Sequence, residues 1–163
     1  MSGKTIKIFT DGSFKKLKNN KVLCGYGIYF PNGELENVSR PFIHEPFTNQ
    51  RAELYAILKA LRKLEKEKLK YDEVIIYTDS EYSIKSLTIW YKTWEQNKWK
   101  NAKGQAVMNQ DIIRPIINIL KDSNGKIKFK HVNSHTGKQD FESLSNEMAD
   151  KLANEGALKT ILK

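Results

Sequence analysis

Soft metal donors are scarce in this chain. Cys24 is the only cysteine, so no intrachain disulfide can form, which agrees with a reducing compartment. One Cys and three His leave too few soft ligands for a zinc site. His131 and His135 stand four apart, but on a strand-and-loop pattern with no adjacent Glu, unlike a helical zinc motif. Arginine is also rare, occurring only at Arg40, Arg51, Arg62 and Arg114, while lysine is abundant. Arg reads guanine bidentately, whereas Lys is a point charge suited to phosphate, so backbone binding without base reading is expected. The longest apolar run, Val22 to Phe30, is too short to span a membrane and holds two glycines. The segment Met1-Ser2-Gly3-Lys4-Thr5 lacks the apolar stretch of a signal peptide and the upstream Gly of a phosphate loop. An intracellular protein, cytoplasmic or nuclear, is therefore expected, with no membrane contact and an idle Asn37-Val38-Ser39 sequon.

What is present fits one soluble domain. The chain has 163 residues, enough for a real core, and a formal charge of +9. A small basic domain suggests an acidic partner, with nucleic acid first. Charge kept only for solubility is the plainer alternative.

The periodicity gives an order of elements. Thr5 to Thr10 alternates as a strand. Val22 to Phe30 is a second strand, Pro31-Asn32-Gly33 a hairpin signal, and Glu34 to Arg40 the returning strand. Thr48 caps a helix to about Lys68, whose apolar face is Leu54, Ile57, Leu58, Leu61 and Leu64. Glu73 to Thr78 has the continuous apolar centre of a parallel strand buried on both faces. Ser80 to about Asn97 reads as a Trp-rich helix, and Lys98 to Ala106 as a basic loop. Asn109 is a candidate cap for another helix, in which Pro115 predicts a kink or late start. Lys126 to Val132 is the last strand, and Phe141 to about Leu158 a closing helix. This order implies a mixed α/β sheet flanked by helices.

Two strands end alike, in Thr10-Asp11-Gly12-Ser13 and in Thr78-Asp79-Ser80-Glu81. Sites in open α/β sheets form outside the carboxyl ends of strands. If these strands are parallel neighbours, Asp11 and Asp79 lie together and repel unless a cation or a shared proton intervenes. Turn or cap roles are the ordinary explanation for either Asp alone. Glu53 falls in the first turn of the long helix, where the helix dipole alone could account for it. Asp150 lies inside the last helix and needs exposure or a partner. A cluster of oxygen ligands with little nitrogen or sulfur suits Mg²⁺ or Mn²⁺.

Five blocks in register resemble type 1 ribonuclease H. They are Thr10-Asp11-Gly12-Ser13, Thr48-Asn49-Gln50-Arg51-Ala52-Glu53, Tyr77-Thr78-Asp79-Ser80, Val132-Asn133-Ser134-His135 and Asn146-Glu147-Met148-Ala149-Asp150. The resemblance covers nearly the whole chain. It implies a ribonuclease H-like α/β fold, a five-stranded mixed sheet flanked by helices. It also implies a single catalytic domain over 1–160, a short tail at 161–163 and no separate hybrid-binding domain.

The implied activity is endonucleolytic cleavage of the RNA strand of an RNA–DNA hybrid by a monomer. The implied site is Asp11, Glu53, Asp79 and Asp150 holding two Mg²⁺ ions, with Mn²⁺ as a substitute. By resemblance, Asp11 bridges both ions, Asp150 completes the ion that activates water, and Glu53 completes the ion at the leaving 3′-oxygen. His135 matches a mobile-loop His that assists product release or proton transfer. Gly12, Asn49, Gln50 and Glu53 would face the RNA strand and its 2′-hydroxyls, beside Ser13. Tyr82, Trp90 and Trp94, among Lys92, Lys98, Lys100 and Lys103, match a basic handle for the DNA strand. Thr48 and Asn109 would hold a DNA phosphate. Pro46 and Ala102 depart from the eukaryotic pattern, in which Arg and Ser are common, and the Lys-rich stretch Phe14 to Lys21 is longer than in some relatives.

Two other classes fit the composition. A two-metal nuclease acting on DNA is disfavoured by the Trp-Lys segment and the Thr48–Glu53 block. A non-catalytic nucleic-acid binder gains nothing from four carboxylates facing phosphates.

Overall fold

A computed structural model describes residues 3–160; the expected tail at 161–163 lies outside the described residues. Five strands form one sheet: β1 (Thr5–Lys16), β2 (Val22–Tyr29), β3 (Val38–Pro41), β4 (Glu73–Thr78) and β5 (Ile127–His131). Their order is β3-β2-β1-β4-β5. The pairs β1/β2 and β2/β3 are antiparallel, while β1/β4 and β4/β5 are parallel. The mixed sheet is the one the resemblance implied.

Helices α1 (Asn49–Lys66) and α4 (Gln110–Asp122) enclose the larger core with one face of the sheet. Ile57, Leu61, Ile113 and Ile116 meet Ile6, Ile8 and Ile76 there, all essentially without solvent exposure. Helix α5 (Phe141–Leu158) covers a smaller cluster of Phe9, Tyr77, Val132 and Ala149. In the middle of β1 alternation therefore gives way to continuous burial from Ile8 to Asp11.

Helix α5 sits unusually close to β2. A Cβ on Gly25 would lie 2.2 Å from the Ala157 nitrogen, and one on Gly27 2.5 Å from the Ala153 nitrogen. Glycine on the strand, facing alanine on the helix, permits this contact.

Five expectations change. Strand β1 continues to Lys16 rather than Thr10, because β2 supplies backbone partners as far as Lys16 opposite Val22. Strand β3 begins at Val38 rather than Glu34; Asn37 instead turns its side-chain oxygen to accept from the Phe30 N–H at 2.9 Å. The Trp-rich helix is built of α2 (Glu81–Lys85), a π-helical turn (Ser86–Trp90) and α3 (Tyr91–Gln96). Asn109 does precede α4, but in a left-handed conformation (φ 66°) with no capping side-chain bond. Pro115 lies within α4, which nevertheless starts at Gln110.

Candidate active site

The parallel register sets Phe9 of β1 opposite Tyr77 of β4. Two residues further on, the same register brings Asp11 and Asp79 together at the carboxyl edge of the sheet. Glu53 arrives from the first turns of α1, and one carboxylate oxygen from each of the three lies within 4.8 Å of the others. Asp150 reaches the same cleft from α5 and accepts a hydrogen bond from Asn154 Nδ2 at 3.3 Å.

Gly12 fixes Glu53. Its backbone N–H donates to Asp11 Oδ1 at 3.0 Å and to Glu53 Oε1. A Cβ here would stand 2.5 Å from the Glu53 nitrogen, so only glycine lets β1 lie against the start of α1. Its close approach is thus first to the helix backbone; it also lines the cleft.

The carboxylates are costly as they stand. Burial, then the charge of Asp79, pushes Asp11 up to about 8. Burial, then Asp11, holds Glu53 well above the ordinary range. A divalent cation relieves both causes, because it replaces lost hydration and screens the mutual repulsion. All the donors are hard oxygens, so the residues fit Mg²⁺ or Mn²⁺.

In metal-free protein Asp11 keeps its proton in the fold up to about pH 8 but loses it in the unfolded chain near 3.8. Over that window the unfolded state binds fewer protons, so stability falls as pH rises. In chelator the melting temperature should drop between about pH 5 and 8. Mg²⁺ should raise it more at the upper end, and Asp11→Asn should flatten the trend. A chelated Asp11→Asn protein with the wild-type trend would contradict this.

The remaining expected site residues divide into groups. Asn49 and Gln50 are exposed at the start of α1 and line the cleft. Ser13 lines it too, its Oγ donating to Asn154 Oδ1 at 2.7 Å. Thr48 caps α1 by accepting from the Arg51 N–H at 3.1 Å. His135 lies exposed on the cleft with φ 52°. Tyr82 lines the cleft and accepts from Asn109 Nδ2 at 2.9 Å. From Tyr82 a row of rings leads away through Trp90, Trp94 and Trp99, each step 6.0 Å between centroids. Trp90 is exposed, Trp94 half-buried and Trp99 buried, so the row changes from surface to core along its length.

Two side-chain roles escaped sequence reasoning. Arg51 is buried, and its two terminal nitrogens donate to the two oxygens of Asp111, both at 2.8 Å. Nη1 also reaches Asn109 Oδ1 at 3.4 Å. The pair ties the first turn of α1 to that of α4, holding Thr48, Asn49 and Gln50 in one frame with Asn109. The available signal was a cation at a helix N-terminus, where the dipole disfavours it unless it is paired. Asn154 was also missed; one helical turn after Asp150, it joins that carboxylate to Ser13.

Comparison with known proteins gives one family. The RNase H profile matches residues 3–158. A probable ribonuclease H of Acanthamoeba polyphaga mimivirus is 42% identical over 134 residues, covering 82% of this chain and 58% of that protein. A ribonuclease H of Novosphingobium aromaticivorans is 32% identical over 155 residues, covering 95% of this chain and 98% of that one. The PFV RNase H domain, solved in solution, superposes with a TM-score of 0.78 at 25% identity, covering 97% of each chain. The chain spans about half the length of several other curated relatives it matches.

Proposed function

This chain belongs to the RNase H family, and from that premise we propose that it cuts the RNA strand of RNA–DNA hybrids internally. The carrying observation is the convergence of Asp11, Glu53 and Asp79, with Asp150 on the same cleft. Asp11, Glu53, Asp79 and Asp150 would hold two Mg²⁺ ions, with Mn²⁺ as substitute. Bound there, the ions would activate water and offset charge on the leaving 3′-oxygen, giving 5′-phosphate and 3′-hydroxyl ends.

The chain's own residues orient the substrate. Gly12 holds the Glu53 carboxylate in place through its N–H. Asn49 and Gln50, beside Glu53, offer side-chain amides to the minor groove, where 2′-hydroxyls distinguish RNA from DNA. Contacts to sugar and phosphate alone make cutting independent of sequence. Tyr82 and Trp90 present rings for deoxyribose, with Lys92, Lys98, Lys100 and Lys103 beyond them for DNA phosphates. Thr48 and Asn109, framed by Arg51, would hold a DNA phosphate. Exposed His135 serves product release or proton transfer. The protein acts as a monomer inside the cell; among the described residues no helix is long and apolar enough to cross a membrane.

Labelled duplexes that differ only in their sugars test the reading. Cleavage is expected in the RNA strand of the hybrid and within runs of ribonucleotides set in a DNA strand. Equal cleavage of an all-DNA duplex would overturn it.

A further inference from the structure

Beyond Asp11, β1 has no β4 partner among the described residues, and beyond Phe14, which lies opposite Cys24, the β1–β2 pair has no β3 partner either. The paired register of β4 with β1 ends at Phe9 opposite Tyr77, whereas β1 and β2 stay paired to Lys16 opposite Val22. The hairpin tip is closed by bonds from the Leu17 N–H to the Lys21 carbonyl (2.7 Å) and from the Asn20 N–H to the Leu17 carbonyl (3.1 Å). It is thus a built arm rather than a loose loop. At about 3.4 Å per residue, the stretch from Asp11 to Lys16 reaches about 17 Å past the carboxylates.

The arm carries charge of one sign. Lys15, Lys16, Lys18 and Lys21 are exposed, and no acidic residue occurs between Asp11 and Glu34. None of the four joins an ion pair among the described residues. Phe14 connects this charge to the cleft. Its ring is 38% exposed, although a residue of its kind gains by burial, and it lines the cleft with Asn49 and Gln50. Strand alternation puts Lys16 on the same face as Phe14 and Gly12, the face toward α1, while Ser13 points to Asn154 of α5.

We propose that the β1–β2 hairpin is a second nucleic-acid grip, which follows the RNA strand away from the cut site. Phe14 packs against a ribose beside the groove contacts of Asn49 and Gln50, and the four lysines, set on both faces and at the tip of the hairpin, neutralise phosphates along its length. The RNA strand is chosen because Phe14 lies on the α1-facing side of β1, the helix that begins with Asn49 and Gln50, whereas the aromatic row starts from Tyr82 after β4, on the other side of Asp11. The hairpin and the aromatic row therefore grip opposite flanks of the cut. An arm of about 17 Å spans about five steps of 3.4 Å along a strand. The assignment of strands rests on the function proposed above.

The test uses hybrids with one permitted cut site, a short ribonucleotide run in a DNA strand, whose two flanks are shortened separately. Cleavage and binding are measured on each, with binding followed by anisotropy on uncut hybrid. Wild type should weaken when either flank falls below about five pairs. The variant carrying Lys15→Ala, Lys16→Ala, Lys18→Ala and Lys21→Ala should raise KM and Kd about tenfold at low salt. Its log–log salt slope should be shallower by about 2–3, the loss expected for three or four phosphate contacts. It should also become indifferent to shortening one flank only. Lys98→Ala with Lys100→Ala should become indifferent to the other. Phe14→Ala should raise Kd about fivefold with the slope intact, and Phe14→Tyr should restore it. Wild-type Kd in the quadruple variant, or equal loss of sensitivity to both flanks, would overturn the grip and leave the proposed activity standing. Binding with the predicted flank dependence but no cleavage by wild type would overturn the activity and leave the grip.

Discussion

Asp79→Asn is expected to cut the rate of hybrid cleavage by a thousandfold or more, on the order of other losses of preorganised charge at a reacting centre. The substitution keeps the shape of the side chain and removes its charge. Asp79 stands with Asp11 and Glu53 in the group whose oxygens converge, so the loss falls directly on cation binding. Hybrid affinity should be unchanged or higher, because one negative charge facing the phosphates has gone. Single-turnover cleavage and equilibrium anisotropy separate the two effects. A variant that loses binding but keeps turnover would make Asp79 a structural residue.

Gly27→Ala is expected to damage the fold severely. Its new Cβ would meet the Ala153 nitrogen at 2.5 Å and the Ala149 carbonyl oxygen at 2.6 Å. Both are helix backbone, so no rotamer change relieves them and α5 must lift from the sheet. Overpacking that moves backbone costs about 3 kcal/mol or more. For a chain of this length that lowers the melting temperature by about 10 °C. Asp150 rides on α5, so cleavage should fall even while most of the protein remains folded. A melting temperature within about 2 °C of wild type would mean that α5 is not seated on Gly25 and Gly27 as described.

These two substitutions mark what could be read from the chain and what could not. The pairing behind Asp11 and Asp79 was half legible: two apolar runs lead into the same Thr-Asp pattern, which raised parallel neighbours as a condition, and the β1–β4 register meets it. The strand at Glu73–Thr78 and the helix Phe141–Leu158 kept their expected limits because strong local patterns define them. Glu53 and Asp150 carried no such local signal. Each is unremarkable on its own helix, and only the resemblance placed it with the other two. The outer half of β1 was illegible because its lysines mimic a loop; its strand character comes from β2. Likewise, the backbone around Asn109 takes its place from tertiary partners, Arg51 and Tyr82, which no local pattern reports. Gly25 and Gly27 read as interruptions of an apolar strand, and only the packed helix shows why they are needed.

The central claim is a cation-dependent choice of RNA paired to DNA. Its most direct test is a cleavage assay on end-labelled RNA–DNA, RNA–RNA and DNA–DNA duplexes of one sequence, each with Mg²⁺ and with EDTA. The account predicts cleavage of the RNA strand in the hybrid alone, with Mg²⁺ only, leaving 5′-phosphate and 3′-hydroxyl ends. Full activity in EDTA after dialysis, or equal cleavage of the DNA duplex, would contradict it.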